Sequence, residues 1–213
     1  MELTLTLDPV VWAWGPVALS WPGLCGALGL ALAVMVGQAR GCALGVATPL
    51  AVRAAALGAG GGGLAVHALG GWAAAPLAAA VGVAIAAALG AQRGGYGARL
   101  RLVTTAALPG LLLGQTLSYA GLLLAGDPWA RPTGGPWGLI YWHPGALTPP
   151  PLIGVPVQPD SLYAALVNVA LVTLWLCPGR WAVGAPRTPV VLAGYLGSRV
   201  ALGLARGEPA VAW

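Results

Sequence analysis

The sequence predicts an all-α integral membrane protein, a bundle of six transmembrane helices with both termini outside. Hydrophobic residues make up 58% of the 213-residue chain and charged residues only 7%, whereas a soluble domain carries about 25% charged residues. The hydrophobic residues fall into stretches of roughly the 20 residues that a helix needs to cross a bilayer. Arginines gather on one side of the resulting topology, as the positive-inside rule expects.

The hydrophobic stretches divide the chain into six predicted spans, with no internal repeat. The spans cover about 17–38, 43–68, 72–91, 102–125, 160–177 and 188–205. Residues 1–16, with Trp12 and Trp14, form a short amphipathic lead that we expect to lie at a membrane surface. Residues 126–159 form a long polar segment, predicted to be outside. Residues 1–213 are therefore expected to form a single transmembrane domain.

The basic residues are all arginine, and their distribution sets the predicted orientation. The arginines assigned to the inner side are Arg40, Arg93, Arg99, Arg101, Arg180 and Arg187. Only Arg131 and Arg206 fall in the opposite loop and tail. The predicted location is therefore a bacterial inner membrane, crossed several times. Because the arginines are not clustered, nothing indicates a nucleic-acid partner.

A few polar residues lie inside or beside the predicted spans. Arg53 and Arg199 are placed well inside apolar stretches, where an arginine costs at least about 2.5–3.5 kcal/mol and is expected to face the bundle interior with a partner. That partner is expected to be Asp127, Asp160, a backbone carbonyl or a lipid phosphate. Histidines and cysteines show no metal-ligand spacing, so we predict no metal and no cofactor other than a bound phospholipid.

The most specific stretch of the chain runs from Ser118 to Gly138, S-Y-A-G-L-L-L-A-G-D-P-W-A-R-P-T-G-G-P-W-G. Its first half ends a hydrophobic helix, which Asp127 and the following proline break. Asp127 and Arg131 are then four residues apart at a predicted membrane surface. Nearby tryptophans suit such a surface because indole rings are enriched there.

Four motifs give the chain a resemblance, over almost its whole length, to the prolipoprotein diacylglyceryl transferase family. D-P-V-V-W-A-W-G-P-V-A-L-S-W-P-G at 8–23 is similar to the family's opening D-P-V-x-x-x-x-G-P-x-x-x-x-W-Y-G. The stretch from Ser118 resembles its signature G-R-x-G-N-F-x-N-G-E, and V-P-V-Q-P-D-S-L-Y-A at 155–164 resembles its R-H-P-x-Q-L-Y-E. G-Y-L-G-S-R at 194–199 resembles its last arginine-bearing helix. The resemblance implies transfer of a diacylglyceryl group from phosphatidylglycerol to a lipobox cysteine thiol.

Most polar residues of the family's motifs are replaced in this chain. The replacements stand at Pro22 (tyrosine), about Ala75 (histidine), Tyr119 (arginine), Leu122 (asparagine), Asp127 (glutamate), Gln158 (histidine) and Ala164 (glutamate). The family's seventh helix is also missing. The residues that the resemblance still assigns to the lipid headgroup are Arg199, Arg206 and Tyr163, and Arg131 adds a further cation.

Three functions fit this pattern. The first is a non-catalytic, lipid-binding accessory subunit of a larger membrane complex, of which a respiratory complex is one example. The second is a diverged transferase acting on a thiol or another acceptor, with Asp127, Tyr119 or His67 as the base and Arg199 at the phosphate. The third is a small lipid or solute transporter that uses the glycine run at 60–63 as a helix break. We predict the first. A thiol needs a base to become a thiolate, and the leaving phosphate needs hydrogen-bond donors, but most of the motif residues that would supply them are replaced.

Overall fold

The computed structural model describes residues 3–15, 17–44, 96–135, 137–176 and 187–205. Four helices dominate these ranges, together with short strands that were not predicted. The strands are β1 (Leu3–Leu5), β2 (Val10–Trp14), β3 (Val17–Ser20) and β4 (Leu139–Tyr141). The helices are α1 (Trp21–Ala43), α2 (Tyr96–Ala125), α3 (Asp160–Leu176) and α4 (Arg187–Ala205), with a 3-10 turn at Pro150–Leu152. The predicted helical class is confirmed, and the four short strands are additions to it.

The chain divides into two compact units. The first contains Met1–Gly29 and Gln115–Val169, and the second contains Leu30–Gly114 and Ala170–Trp213. Helices α1, α2 and α3 each contribute to both. The single transmembrane domain predicted over residues 1–213 stays a prediction.

The first predicted helix begins later than expected, at Trp21 instead of residue 17, and ends at Ala43 instead of residue 38. Residues 17–20 instead pair with β2 in an antiparallel hairpin. The local reason is a helix start signal. The Ser20 hydroxyl accepts the Gly23 N–H at 3.3 Å, and Pro22 suits the first turn because its missing N–H would have no helical partner there.

The other described helices end close to the predicted boundaries. Helices α3 and α4 begin and end within one residue of the predicted 160–177 and 188–205. Helix α2 ends at Ala125 as predicted, but it starts at Tyr96, six residues before the predicted 102.

Only two helices in the described ranges are long and apolar enough to cross a membrane, Trp21–Ala43 and Thr104–Ala125. Helices α3 and α4 contain shorter apolar stretches. The predicted count of six spans is therefore not supported. The second and third predicted spans, 43–68 and 72–91, lie almost wholly outside the described residues, with Arg53, His67 and Ala75.

The core of the second unit is formed by buried side chains from α2, α3 and α4. They are Leu108, Leu112, Val172, Trp175 and Val191. Beside it, α1 approaches α2 closely, since a Cβ on Gly110 would lie 2.5 Å from the Ala33 carbonyl oxygen. Small residues permit this spacing of helix backbones. The Arg40 guanidinium stacks over the Trp175 ring at 4.6 Å.

The first unit has its own core inside the segment predicted to be a polar loop. Its buried members are Ala130, Leu139, Tyr141 and Val157. Strand β4 lies in this segment and pairs in parallel with β1, Leu3 facing Leu139. The segment 126–159 is therefore a packed substructure and not the polar loop that was predicted. Its composition is dominated by prolines, glycines and polar residues, which conceal the buried apolar residues among them.

Candidate functional site

The candidate site is the junction between the end of α2 and the start of α3, both in the first unit. Helix α2 ends at Ala125, and the next residue, Gly126, has a φ of +110°, which disfavours any residue with a Cβ. A Cβ at this position would also lie 2.7 Å from the Leu147 backbone nitrogen. That nitrogen donates to the Ala125 carbonyl at 2.9 Å, which satisfies one of the last carbonyls of the helix.

Asp127 is completely buried and uses both carboxylate oxygens. Its Oδ1 accepts the Trp129 N–H at 3.0 Å, and its Oδ2 accepts the Ser161 N–H at 2.6 Å. The second bond reaches the first turn of α3, where backbone N–H groups lack helical acceptors. The Asp127 side chain therefore closes the turn after α2 and caps α3.

Burial raises the pKa of the Asp127 carboxyl, and the nearby Asp160 raises it further. The two backbone N–H donors oppose this shift because they stabilise the carboxylate, but burial dominates. Tyr141 lies beside this carboxyl, and burial together with the Asp127 charge raises the pKa of its phenol. The neutral Tyr141 hydroxyl donates to the Leu123 carbonyl at 3.1 Å.

Arg131 lies near the same junction. Its Nη2 is 3.9 Å from Asp160 Oδ2, the arginine side chain being 37% exposed and the aspartate 5%. An ion pair this long and this exposed contributes at most about 1 kcal/mol. The Arg131 carbonyl accepts the Gln158 N–H at 2.9 Å. This backbone hydrogen bond also links the residues that follow α2 to those that precede α3.

The structure brings some of the predicted site residues to the start of α3 and leaves others apart. Asp127 bonds Ser161 there and Arg131 lies near Asp160. Tyr163 lies in the first turn of the same helix, its N–H donating to the Pro159 carbonyl at 3.2 Å. Tyr119 lies on α2, half-buried, in the same unit. Arg206 lies outside the described residues.

Arg199 belongs to the second unit, on α4. It is 8% exposed, and its guanidinium stacks over the Tyr195 ring at 4.8 Å, one turn earlier in the same helix. Cation–π contact of this kind stabilises a buried cation. The prediction that Arg199 is buried in an apolar helix is confirmed, and its role in lipid binding stays a prediction.

The sequence reading missed a polar pair between α2 and α3. Asn168 is fully buried, and its Nδ2 lies 3.4 Å from Gln115 Oε1. Each is a polar side chain within an apolar helix, and that pattern was a sufficient signal, since such residues generally face the interior of a bundle. Within the described ranges, no cluster of three or more His, Cys, Asp or Glu side chains has the arrangement of a metal site.

Comparison with known proteins gives one informative similarity. No protein-family model matches the chain. A phosphatidylglycerol–prolipoprotein diacylglyceryl transferase from Ruegeria pomeroyi is 39% identical over 100 residues, which are 44% of this chain and 32% of that protein. The match therefore spans about a third of the relative's length. It supports a diverged relationship to the diacylglyceryl transferases.

Proposed function

We propose that the protein is a non-catalytic, phospholipid-binding accessory subunit of a larger membrane complex, built on a diacylglyceryl-transferase-like fold. The observation that carries this proposal is the state of Asp127. Its carboxylate stands where the transferase signature has glutamate, each of its oxygens accepts a backbone N–H, and the side chain is fully buried. A general base must lie within hydrogen-bond reach of the proton that it takes, and this carboxylate has no exposed surface that a substrate thiol could approach.

The signature positions that this chain retains are those with a structural task. Gly121 allows α2 to approach the start of α1, since a Cβ there would lie 2.7 Å from Cys25 Cβ and 2.8 Å from the Trp21 carbonyl oxygen. Gly126 provides the positive φ at the helix end. The polar signature positions are instead occupied by Tyr119, Leu122 and Ala125. This division is what we expect of a chain selected for its fold without the reaction.

The chemistry of thiol alkylation supports the same conclusion. A cysteine thiol with a pKa near 8.5 attacks only when a base or a positive field produces the thiolate. Loss of one donor from a site that stabilises developing negative charge costs about 10²–10³ in rate. Replacing the motif arginine by Tyr119 and the motif histidine by Gln158, while Asp127 is buried, removes several such groups together.

The buried arginine of α4 supports the lipid-binding part of the proposal. The planar guanidinium of an arginine can donate two hydrogen bonds to the two non-bridging oxygens of a phosphodiester, and phosphatidylglycerol is the lipid that the transferase relationship suggests. Arg206, Tyr163 and Arg131 are proposed as further headgroup contacts. Partner subunits would cover apolar helix surface such as Leu196 and Leu204, which are 53% and 59% exposed.

The first experiment is purification of the tagged protein from its native membrane in a mild detergent, with mass spectrometry of the proteins and lipids that accompany it. We expect stoichiometric partner proteins and a retained phospholipid. Arg199→Gln should lose the lipid, whereas Arg40→Gln, an equal change in charge at an arginine stacked on Trp175, should retain it. A protein that purifies alone, with equal lipid in both variants, contradicts the proposal.

A diverged active transferase is the second candidate, favoured by the 39% identity to a named transferase. It predicts transfer of a diacylglyceryl group from phosphatidylglycerol to a lipobox peptide, with loss of transfer in Tyr119→Phe or Arg199→Gln. The accessory-subunit proposal predicts no transfer above that of protein-free liposomes.

A further inference from the structure

The hairpin that precedes α1 has one face made of large apolar side chains. Trp12 and Trp14 lie two residues apart on β2, and Leu19 is the direct cross-strand partner of Trp12. Alternation along a strand puts these three residues on the same side. Trp12 is 61% exposed, Trp14 is 75% exposed and Leu19 is 38% exposed, so this face is open within the described part of the chain.

The base of the hairpin is fastened to the first residue of α1. The Trp21 N–H donates to the Pro9 carbonyl at 3.1 Å, and the Trp21 indole Nε1–H donates to the Asp8 carbonyl at 3.0 Å. Strand β3 ends at Ser20 and α1 begins at the next residue, so no linker separates them. The hairpin is therefore held where α1, 23 residues long and apolar, starts its crossing.

We propose that the Trp12–Trp14–Leu19 face inserts into the headgroup layer of the membrane leaflet in which α1 begins, with phospholipid as its partner. Leu28, in the early part of α1, is also exposed, at 53%. Indole rings favour this depth because their apolar body faces the acyl chains while the ring N–H faces water and headgroups.

The composition of the hairpin favours lipid over a protein partner. Residues 10–20, V-V-W-A-W-G-P-V-A-L-S, include no charged side chain. A protein interface generally surrounds its apolar centre with a polar rim that sets orientation and register. A lipid surface requires no such rim. The two strands are paired from Trp14 and Val17 to Val10 and Ser20.

The test is a set of single-cysteine variants that carry an environment-sensitive fluorophore. Cys25, Cys42 and Cys177 are first replaced by serine, and the label is then attached to Trp14→Cys or, as the matched control on the opposite face, Ala13→Cys. The full-length protein is reconstituted in phosphatidylethanolamine–phosphatidylglycerol vesicles. We expect a blue-shifted emission at position 14, strong quenching by lipid with a nitroxide near the headgroup, and weak quenching by iodide. Position 13 should show the reverse.

Two outcomes would overturn the proposal. Equal iodide quenching at positions 13 and 14 would mean that the face is in water. Protection from iodide at position 14 without quenching by the nitroxide lipid would mean that protein covers it. If Trp14→Cys does not fold, Trp12→Cys and Leu19→Cys report on the same face, with Ala18→Cys as their control. These readouts do not depend on whether the protein is an accessory subunit or a transferase.

Discussion

The role expected of Asp127 from the sequence differs from the one that its contacts indicate. From the sequence alone it is an acidic residue at the position of a motif glutamate and a candidate base. In the structure its two oxygens bind the N–H groups of Trp129 and Ser161, the latter 34 residues away. The carboxylate thus links the end of α2 to the first turn of α3. It accepts an N–H of α3 as an N-cap side chain does, but from a distant part of the chain.

Asp127→Asn is expected to destabilise the protein by about 1–3 kcal/mol, because the amide nitrogen cannot accept and one buried N–H loses its acceptor. The measurement is unfolding of the purified protein in mixed micelles by titration with a denaturing detergent. Asp8→Asn is the matched control, since the exposed Asp8 carboxylate also accepts a backbone N–H, that of Val10. An equal effect of the two substitutions would show that the Asp127 bonds contribute little.

The raised pKa of Asp127 predicts how stability changes with pH. The folded protein binds this proton more tightly than the unfolded chain, in which the pKa is about 3.9. The stabilisation is fully present below that value and is lost as pH rises through the higher folded pKa. Melting temperatures measured across the acid range should therefore fall with increasing pH. Asp127→Asn should remove that part of the slope, and an unchanged slope would contradict the assignment.

At the scale of helices, close approach depends on two glycines of α2. Gly121 faces the start of α1, where an added Cβ would meet Cys25 and the Trp21 carbonyl, while Gly110 faces the later part of α1. In both places the obstacle includes backbone, which cannot move aside as a flexible side chain does. The short distance between α1 and α2 therefore depends on glycine, which has no side chain, at both positions.

Gly121→Ala should destabilise the protein by about 1–3 kcal/mol, the usual cost of overpacking. Gly26→Ala is its matched control, because a Cβ at Gly26 meets nothing within 4 Å. That substitution should be neutral or stabilising by about 0.5–1 kcal/mol, since alanine favours a helix over glycine. The same unfolding titration measures both, and a neutral Gly121→Ala would show that the helices separate easily.

The Gln115–Asn168 pair joins α2 and α3 through polar groups. A double-mutant cycle with Gln115→Ala and Asn168→Ala should give a coupling energy of about 0.6 kcal/mol, and no more than about 1.7 kcal/mol, the range measured for hydrogen bonds between membrane helices. Unfolding free energies of the two single variants and the double variant provide the value. Additive effects would show that the bond at 3.4 Å contributes nothing to stability.

At the scale of the whole molecule, helix ends that depend on neighbouring residues were predicted well, whereas contacts between distant segments were not. The ends of α3 and α4 and the end of α2 follow from nearby prolines, glycines and arginines, and the structure agrees with them closely. Strand β1 was missed because its partner β4 lies far along the chain. The same limit applies to the site. Asp127 was singled out, but its partner is a backbone N–H of α3, which no side-chain pattern reveals.

The parallel pairing of β1 with β4 has a consequence for biosynthesis. Strand β1 (Leu3–Leu5) is synthesised well before its partner β4, which ends at Tyr141. At a synthesis rate of roughly 5–20 residues per second, the backbone groups of β1 stay without their β4 partners for on the order of ten seconds. During that interval α1 has already been synthesised. The first unit is thus completed by a late event that brings the beginning of the chain back to the segment after α2, and a translational pause before residue 139 would prolong the exposure of this strand edge.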